Sequence, residues 1–412
     1  MQLERAVSKL APMVEMALNL SLRRYPSFVY GAAMKPNELP PVLCLHSAEP
    51  ALFESMLCFL SDNKYETLTC DDYYAMSRGE RPIPQRSVLL TFDDGHLSVW
   101  SIAYPLLKKY GMRAVAFLIP GRMPADCGQT PRQTLEDAWA GSCSVAEIES
   151  AARGYPLCTW SECRSMNDAG VLDLQSHTHC HTAVYTSDKI VGFVQPSMLS
   201  KLWPFETDAP PFQPDDEGAC GRGEAPALGT PIYESAPRMA DALSYRPTPA
   251  VAQACVAYVR DHGGETFFRE RGWRRRLRRV AAKPLRASEG EARGVRESER
   301  QRRDKILSDL KLARQTMMDQ LPGASVRHLA FPWGVGSDYA MVASRESGYV
   351  TSFWGSFGRR LRNHRDDDPH ALTRIGEDFF FLLDGAGRTT LKGVLWRKLM
   401  RRRLGGGTFR AP

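Results

Sequence analysis

Seven short runs rich in strand-forming residues constrain this chain most: Pro41 to His46, Tyr65 to Cys70, Ser87 to Phe92, Ala114 to Ile119, Val171 to Gln175, His328 to Phe331 and Tyr349 to Phe353. Helical patterns lie between them, such as Leu97 to Tyr110, which Gly111 closes, and 161 to 169, which Gly170 ends before the next run. Strands that alternate with helices are joined by crossovers and line up parallel. The chain therefore falls in the α/β class, as a parallel sheet or barrel.

At 412 residues there is room for two domains or one elaborated barrel. The stretch from about 190 to 325 breaks the strand and helix rhythm. Up to about 248 it is rich in proline and glycine and reads as a loop-rich excursion. An arginine-rich part follows, and a helix with Ile306, Leu310, Ala313, Met317 and Leu321 on one face returns the chain to the body. Because strand-like runs then resume, we read 187–325 as an insertion in a body made of 41–186 and 326–383, with 1–40 as an N-terminal helical extension and 384–412 as a basic tail. In the extension, Leu3, Val7, Leu10, Val14 and Leu18 recur at helical spacing over 2–22, with Pro12 as a kink, and are expected to pack on the body.

The net charge of +7 combines unlike parts. Residues 259–303 hold 15 basic and 7 acidic side chains and 388–412 hold 8 basic and no acidic ones, which leaves the rest of the chain at −9. The basicity is local and says nothing about the body. The run 269–279 has only Phe267, Phe268 and Trp273 as aromatic neighbours and matches no nucleic-acid module, so no nucleic-acid partner is expected. Ten cysteines are scattered without a CxxC pair, which argues against a zinc finger or disulfide framework and for a reducing cytosol. No run approaches the ~20 apolar residues of a membrane span. We expect no export signal either, since Glu15 and Asn19 interrupt the apolar run from Met13 to Leu22 and Arg23 and Arg24 follow it.

The chemistry concentrates at strand ends. Ser87-Val-Leu-Leu-Thr-Phe-Asp93-Asp94-Gly95 is an apolar strand running into two adjacent carboxylates and a glycine. Neighbouring strand side chains point to opposite faces, so both carboxylates serve one site only where the strand has ended and the backbone turns, which Gly95 permits. Such strand ends are where α/β enzymes gather catalytic groups. The competing reading is an aspartate pair capping the helix that starts near Leu97. A second strand leads into Ser176-His177-Thr178-His179-Cys180-His181, which holds three of the chain's nine histidines. On one helical turn, residues i and i+4 lie ~5 to 6 Å apart at Cβ, so His177 and His181 have metal-ligand spacing. His179 would point elsewhere, and Cys180 reads as a bystander thiol. Two imidazoles and a carboxylate with a position left for water describe a catalytic zinc site. Non-haem iron oxygenases use the same set, usually on an all-β scaffold.

These segments resemble a known family. TFDDG, the histidine run read as H-[ST]-x-x-H, and Phe331-Pro332-Trp333-Gly334 after a third strand are similar to the first three motifs of the polysaccharide deacetylases, carbohydrate esterase family 4 with its NodB-homology domain. The approaches match as well: Pro105 to Gly111 followed by Ala114 to Ile119, and Thr159-Trp160 before the histidines. Val42 to His46 is similar to the first strand of the poly-N-acetylglucosamine deacetylase branch. The resemblance covers about 41–186 and 326–383.

It implies a distorted (β/α) barrel of about seven strands with a long insertion, hydrolysing the N-acetyl group of an amino sugar in an oligosaccharide, polysaccharide or glycan precursor. It implies Asp93 as general base, and Asp94, His177 and His181 as ligands of a divalent metal, Zn2+ by ligand type. Pro332 and Trp333 would bind substrate, with the Trp333 N–H on the oxyanion and its ring against a sugar face. The chain departs from the family pattern twice. The family carries an arginine two residues before the motif proline that tethers the catalytic carboxylate; here that position is Ala330, and Arg327 lies three residues further back. The late Leu-x-His that supplies the general acid is absent, and His364 and His370 sit in a charged loop without that pattern. We take His46, at the end of the first strand, as the candidate acid, with a hydrogen-bonded structural histidine as the alternative.

The departures keep two other functions open: a catalytically degenerate glycan binder, and a deacylase removing another group, such as formyl, from a lipid-linked amino sugar. In the tail, Arg388, Lys392, Arg397, Lys398, Arg401, Arg402 and Arg403 alternate with Leu391, Val394, Leu395, Trp396, Leu399 and Met400. Such a basic helix with an apolar side either packs on the barrel or docks on anionic membrane. The expectation is a cytoplasmic enzyme, with peripheral contact at the inner membrane face, acting on an N-acetylated intracellular precursor.

Overall fold

A computed structural model describes residues 14–124, 131–199, 226–287, 294–358 and 360–396. Its strands are, in chain order, β1 (Val42–Leu45), β2 (Glu66–Thr67), β3 (Ser87–Asp94), β4 (Ala114–Leu118), β5 (Leu172–Ser176), β6 (Ala183–Phe193) and β7 (Pro231–Pro237). They continue with β8 (Tyr245–Pro247), β9 (Gly294–Arg296), β10 (His328–Ala330), β11 (Thr351–Trp354), β12 (Leu372–Thr373) and β13 (Ile375–Gly376). The main sheet runs β12, β11, β10, β5, β4, β3, β1, β13, with β2 paired to β3, and every pairing in it is parallel. Only Arg374 separates β12 from β13, so the two ends of the sheet lie in one stretch of chain. The sheet is thus nearly closed into a distorted (β/α) barrel, whose seventh strand is broken at Arg374.

All seven expected runs carry a strand, but Tyr65 to Cys70 keeps only Glu66–Thr67. Thr69 caps the next helix, Cys70–Ser77, accepting from the Asp72 N–H at 3.1 Å while Asp72 accepts from the Thr69 N–H at 3.0 Å. This reciprocal cap favours helix over continued strand. The closing segment 372–376 escaped sequence reading because each half is two residues long.

Strands covered on both faces bury every residue, as β3 and β4 do. Alternation sorts them. Val88, Leu90, Phe92, Ala114, Ala116 and Leu118 pack outward with the surrounding helices, and Leu89, Val115, Phe117, Ala330, Phe353 and Leu372 fill the interior. Leu68, Tyr73 and Met76 join that interior cluster. The same alternation continues Cys44 to His46, Leu89 to Asp93, Gln175 to His177 and Leu372 to Arg374 on the inner face, and so delivers the functional side chains to the barrel mouth.

Between β5 and β10 the described residues add no strand to the barrel. β6 pairs antiparallel with β7, and β8 with β9. The loop-rich reading missed the first hairpin, whose strands lie far apart in sequence and whose register shifts around Ile190 blur the alternation. The expected return helix is Glu299–Gln320, with Ile306, Leu310, Ala313 and Met317 buried. The N-terminal expectation is corrected: in the helix over 14–21, Val14 and Leu18 are 63% and 51% exposed, whereas Met16 and Asn19 are each 8% exposed. Leu3, Val7, Leu10 and Pro12 lie outside the described residues, as does the tail from Arg397 onward. In the tail helix over 391–396, Val394 is buried and Trp396 is 62% exposed. No helix among the described residues is long and apolar enough to cross a membrane.

Candidate active site

β3 runs on through Asp94, paired with Leu118 of β4, so the strand does not end before its carboxylates. The turn comes from the backbone of Asp94 itself, at φ 71°, followed by Gly95 at φ 79°. A side chain at Gly95 would meet Leu118 Cδ2 at 2.9 Å, so both conformation and space demand glycine there. Asp94 would otherwise face the outer layer. The left-handed step brings it to the mouth beside Asp93.

The histidines also reach the mouth by a route other than the expected one. Residues 177–181 form a loop instead of a helical turn, with Thr178 at φ 65° and His181 at φ 50°. Asp309, on the return helix, accepts from the N–H groups of His179 at 2.9 Å and Cys180 at 3.3 Å, and Arg122 Nε donates to the Cys180 carbonyl at 2.6 Å. So clamped, the loop sets His177 Nε2 3.5 Å and His181 Nε2 3.6 Å from Asp94 Oδ1. Cys180 is disulfide-bonded and not a bystander thiol.

Ligating atoms of Asp94, His177 and His181 all lie within 4.8 Å of one another. His177 Nδ1 is bonded to the Ala330 carbonyl at 2.8 Å, which directs Nε2 inward. Tyr155 donates to Asp94 Oδ2 at 2.7 Å, while Oδ1 is buried without a hydrogen-bond partner. A buried carboxylate oxygen of this kind is costly unless something meets it. Burial drives the His181 pKa down to about 3, so its imidazole is neutral at neutral pH and able to donate a lone pair. These residues fit a divalent cation.

The missing tether is supplied from elsewhere. Arg374 donates to Asp93 Oδ1 at 2.5 Å and Oδ2 at 2.7 Å, a two-pronged pair buried at the break in the closing strand. Burial would raise the Asp93 carboxyl, yet Arg374, with His177 beside it, holds it well below the usual carboxylate range. Ala330 lines the interior, and Arg327 pairs with Asp71 at 3.3 Å, away from this carboxylate. Arg374→Ala is expected to leave a buried unpaired charge at a cost of about 3–5 kcal/mol. Thermal unfolding would show it as a lowered Tm, and an unchanged Tm would count against the pair.

His46 is exposed at the end of β1, and its ring lies within 4.8 Å of Cys44 and Asp93 ligating atoms. His364 and His370 stay apart, beside Asp367 and between Ser344 and Ser352 respectively. Pro332 is buried, and the half-buried Trp333 ring stands edge-on to His181 with centroids 4.3 Å apart. Trp333 holds φ 55°, a conformation a bulky residue keeps only where its surroundings enforce it. They do so here: Gly334 donates to the Phe331 carbonyl at 2.9 Å and accepts from Gly355 N–H at 2.9 Å, and a Cβ on Gly334 would lie 2.5 Å from that nitrogen. Tyr155, at φ 64°, is a second bulky residue strained against the site. No sequence pattern marked Arg374, Tyr155 or Asp309, because each acts from a segment remote in sequence from the group it holds.

Residues 80–192 match the model of the polysaccharide deacetylase family. YxkH of Bacillus subtilis is 39% identical over 93 residues, 21% of this chain and 33% of that protein. The poly-β-1,6-N-acetyl-D-glucosamine N-deacetylase of Staphylococcus aureus is 34% identical over 135 residues, 32% of this chain and 38% of that protein. The chain thus spans little more than a third of these relatives' length at most. Among solved structures, a de-N-acetylase from Aggregatibacter actinomycetemcomitans aligns at TM-score 0.48 and 17% identity, covering 86% of this chain and 98% of that one. The family match falls on the strands that carry both carboxylates and both imidazoles, and over these residues the chain is similar to the polysaccharide deacetylases, poly-N-acetylglucosamine deacetylases among them.

Proposed function

We propose that the chain is a metal-dependent hydrolase that removes the N-acetyl group from an amino sugar of a polysaccharide or its precursor. The observation that carries this reading is Asp94 Oδ1, buried without a hydrogen-bond partner and facing the Nε2 atoms of His177 and His181. A divalent ion held by Asp94, His177 and His181, Zn2+ by ligand type, would supply Lewis acidity and lower the pKa of water toward ~7.

The chain's own groups account for the proton traffic. Asp93, kept ionised by Arg374, accepts the proton of the water that attacks the acetamide carbon. The oxygen that becomes negative is assigned to the backbone N–H of Trp333, a kind of donor worth ~3 to 4 kcal/mol elsewhere. Collapse breaks the C–N bond. The departing nitrogen takes a proton, for which His46 is the candidate donor, and acetate leaves. The Trp333 ring and Pro332 form the wall against which the sugar lies.

The absent motif arginine and the absent Leu-x-His leave room for a degenerate glycan binder, and Arg374 removes the first of these two grounds. The test is acetate release from an N-acetylglucosamine oligomer after chelation and re-addition of metal. We expect no release from the chelated chain and recovery with one equivalent of Zn2+. Oligomer binding without acetate at any divalent metal would replace this reading with the binding one. Release of formate only, from an N-formylated sugar, would replace it with the deacylase.

A further inference from the structure

The arginine-rich part of the insertion takes no role in this chemistry. Its helix Trp273–Ala287 turns Trp273, Leu277 and Ala281 inward onto Val251, Cys255, Val259 and Phe267. That packing uses up the helix's apolar side. The other side exposes Arg274, Arg275, Arg278, Arg279 and Lys283, and Arg269 and Arg271 are exposed just before it. Glu270 pairs with Arg276, and Arg274 lies 4.2 Å over the Trp273 ring. Among the described residues no ion pair engages Arg275, Arg278, Arg279 or Lys283.

This surface is joined to the site by packing. Leu228 lies against both the insertion core and the small cluster of Ala183 and Val194, and Trp333 packs on that same cluster. The basic helix therefore rides on a continuation of the active-site wall.

Its ligand can be narrowed by chemistry. An N-acetylated sugar offers no charge to a guanidinium row, and the deacetylated product carries an ammonium that the row repels; this step rests on the deacetylase reading. The ligand is then an anion other than the reacting glycan. Single-stranded nucleic acid would call for aromatic faces on which bases stack, but Phe267 and Trp273 are only 0% and 7% exposed and Phe268 is half-buried against the same insertion core. A protein partner would call for apolar or aromatic anchors at the centre of the contact, and this face presents none. A dense sheet of phosphate headgroups needs only the cations.

We propose that the exposed face of Trp273–Ala287 docks the protein on a bilayer of anionic phospholipid next to the active-site mouth. The experiment is sedimentation of the full chain with vesicles of phosphatidylglycerol and phosphatidylcholine, against pure phosphatidylcholine, at low and high salt. Two variants accompany it: the surface quadruple Arg275→Ala, Arg278→Ala, Arg279→Ala, Lys283→Ala, and a chain ending at Trp396. The expected result is salt-sensitive binding to anionic vesicles only, kept by the shortened chain. At about a fivefold loss per basic residue, equivalent to ~1 kcal/mol each, the quadruple variant should bind ~100-fold or more weakly. Equal binding by the quadruple variant, equal binding to neutral vesicles, or loss confined to the shortened chain would overturn the proposal. So would tighter retention of a single-stranded oligonucleotide than of vesicles. Acetate release from a soluble oligomer should be unchanged in the quadruple variant, which shows that it folds. If the parent chain releases no acetate, the deacetylase reading fails while the sedimentation result still decides this one.

Discussion

Asp94→Ala and His177→Ala are each expected to abolish stoichiometric metal binding and acetate release together, while His179→Ala keeps most of both. The contrast follows from where the three side chains sit. Asp94 Oδ1 faces His177 Nε2 at 3.5 Å and His181 Nε2 at 3.6 Å, and the three residues form one group of ligating atoms. His179 is not in that group, and its anchoring contact is its backbone N–H on Asp309. Removal of Asp94 also frees the Tyr155 hydroxyl that orients it. Metal content by elemental analysis beside acetate release checks the prediction. Full metal retention in the Asp94 and His177 variants would sink the ligand assignment.

Asp93→Asn is expected to keep the metal and to lower turnover by ~100-fold or more, the usual scale for loss of a general base. The amide retains the size of the carboxylate and much of its hydrogen bonding, but it cannot accept a proton. It also weakens the pairing with Arg374, so a lower Tm should accompany the loss. Retained metal separates the chemical defect from unfolding. Near-normal turnover would move the base to another residue, and His46→Ala in the same assay asks whether that histidine delivers the final proton.

Much of the site was legible because its signals are local. Ser87 to Gly95 announces a strand and two carboxylates within nine residues, and the histidine run announces the two inward imidazoles within five. Their conformations were not legible. The histidine spacing suits a helical turn, yet the segment is a loop with two left-handed residues, held by Asp309 and Arg122. Helical periodicity likewise marked Val14 and Leu18 as a packed face, but the body takes Met16 from the same helix instead. Periodicity reports that a face exists, and only the neighbouring surface decides which face it covers.

Arg374 shows the division most clearly. By itself the sequence determined the alternation of strands and helices, the strand ends that bear Asp93, Asp94, His177 and Trp333, and the residue types suited to a metal, since each of these depends on neighbours within a few positions. The tertiary structure alone decided that a guanidinium 281 positions away would take the place of the motif arginine. Closure of the barrel brings β13 against β1, whose Cys44 lies 3.5 Å from Asp93, and so fixes the break between β12 and β13 opposite that carboxylate. A two-pronged ion pair requires only that the groups meet in space at the right angle, and separation along the chain does not enter its energy.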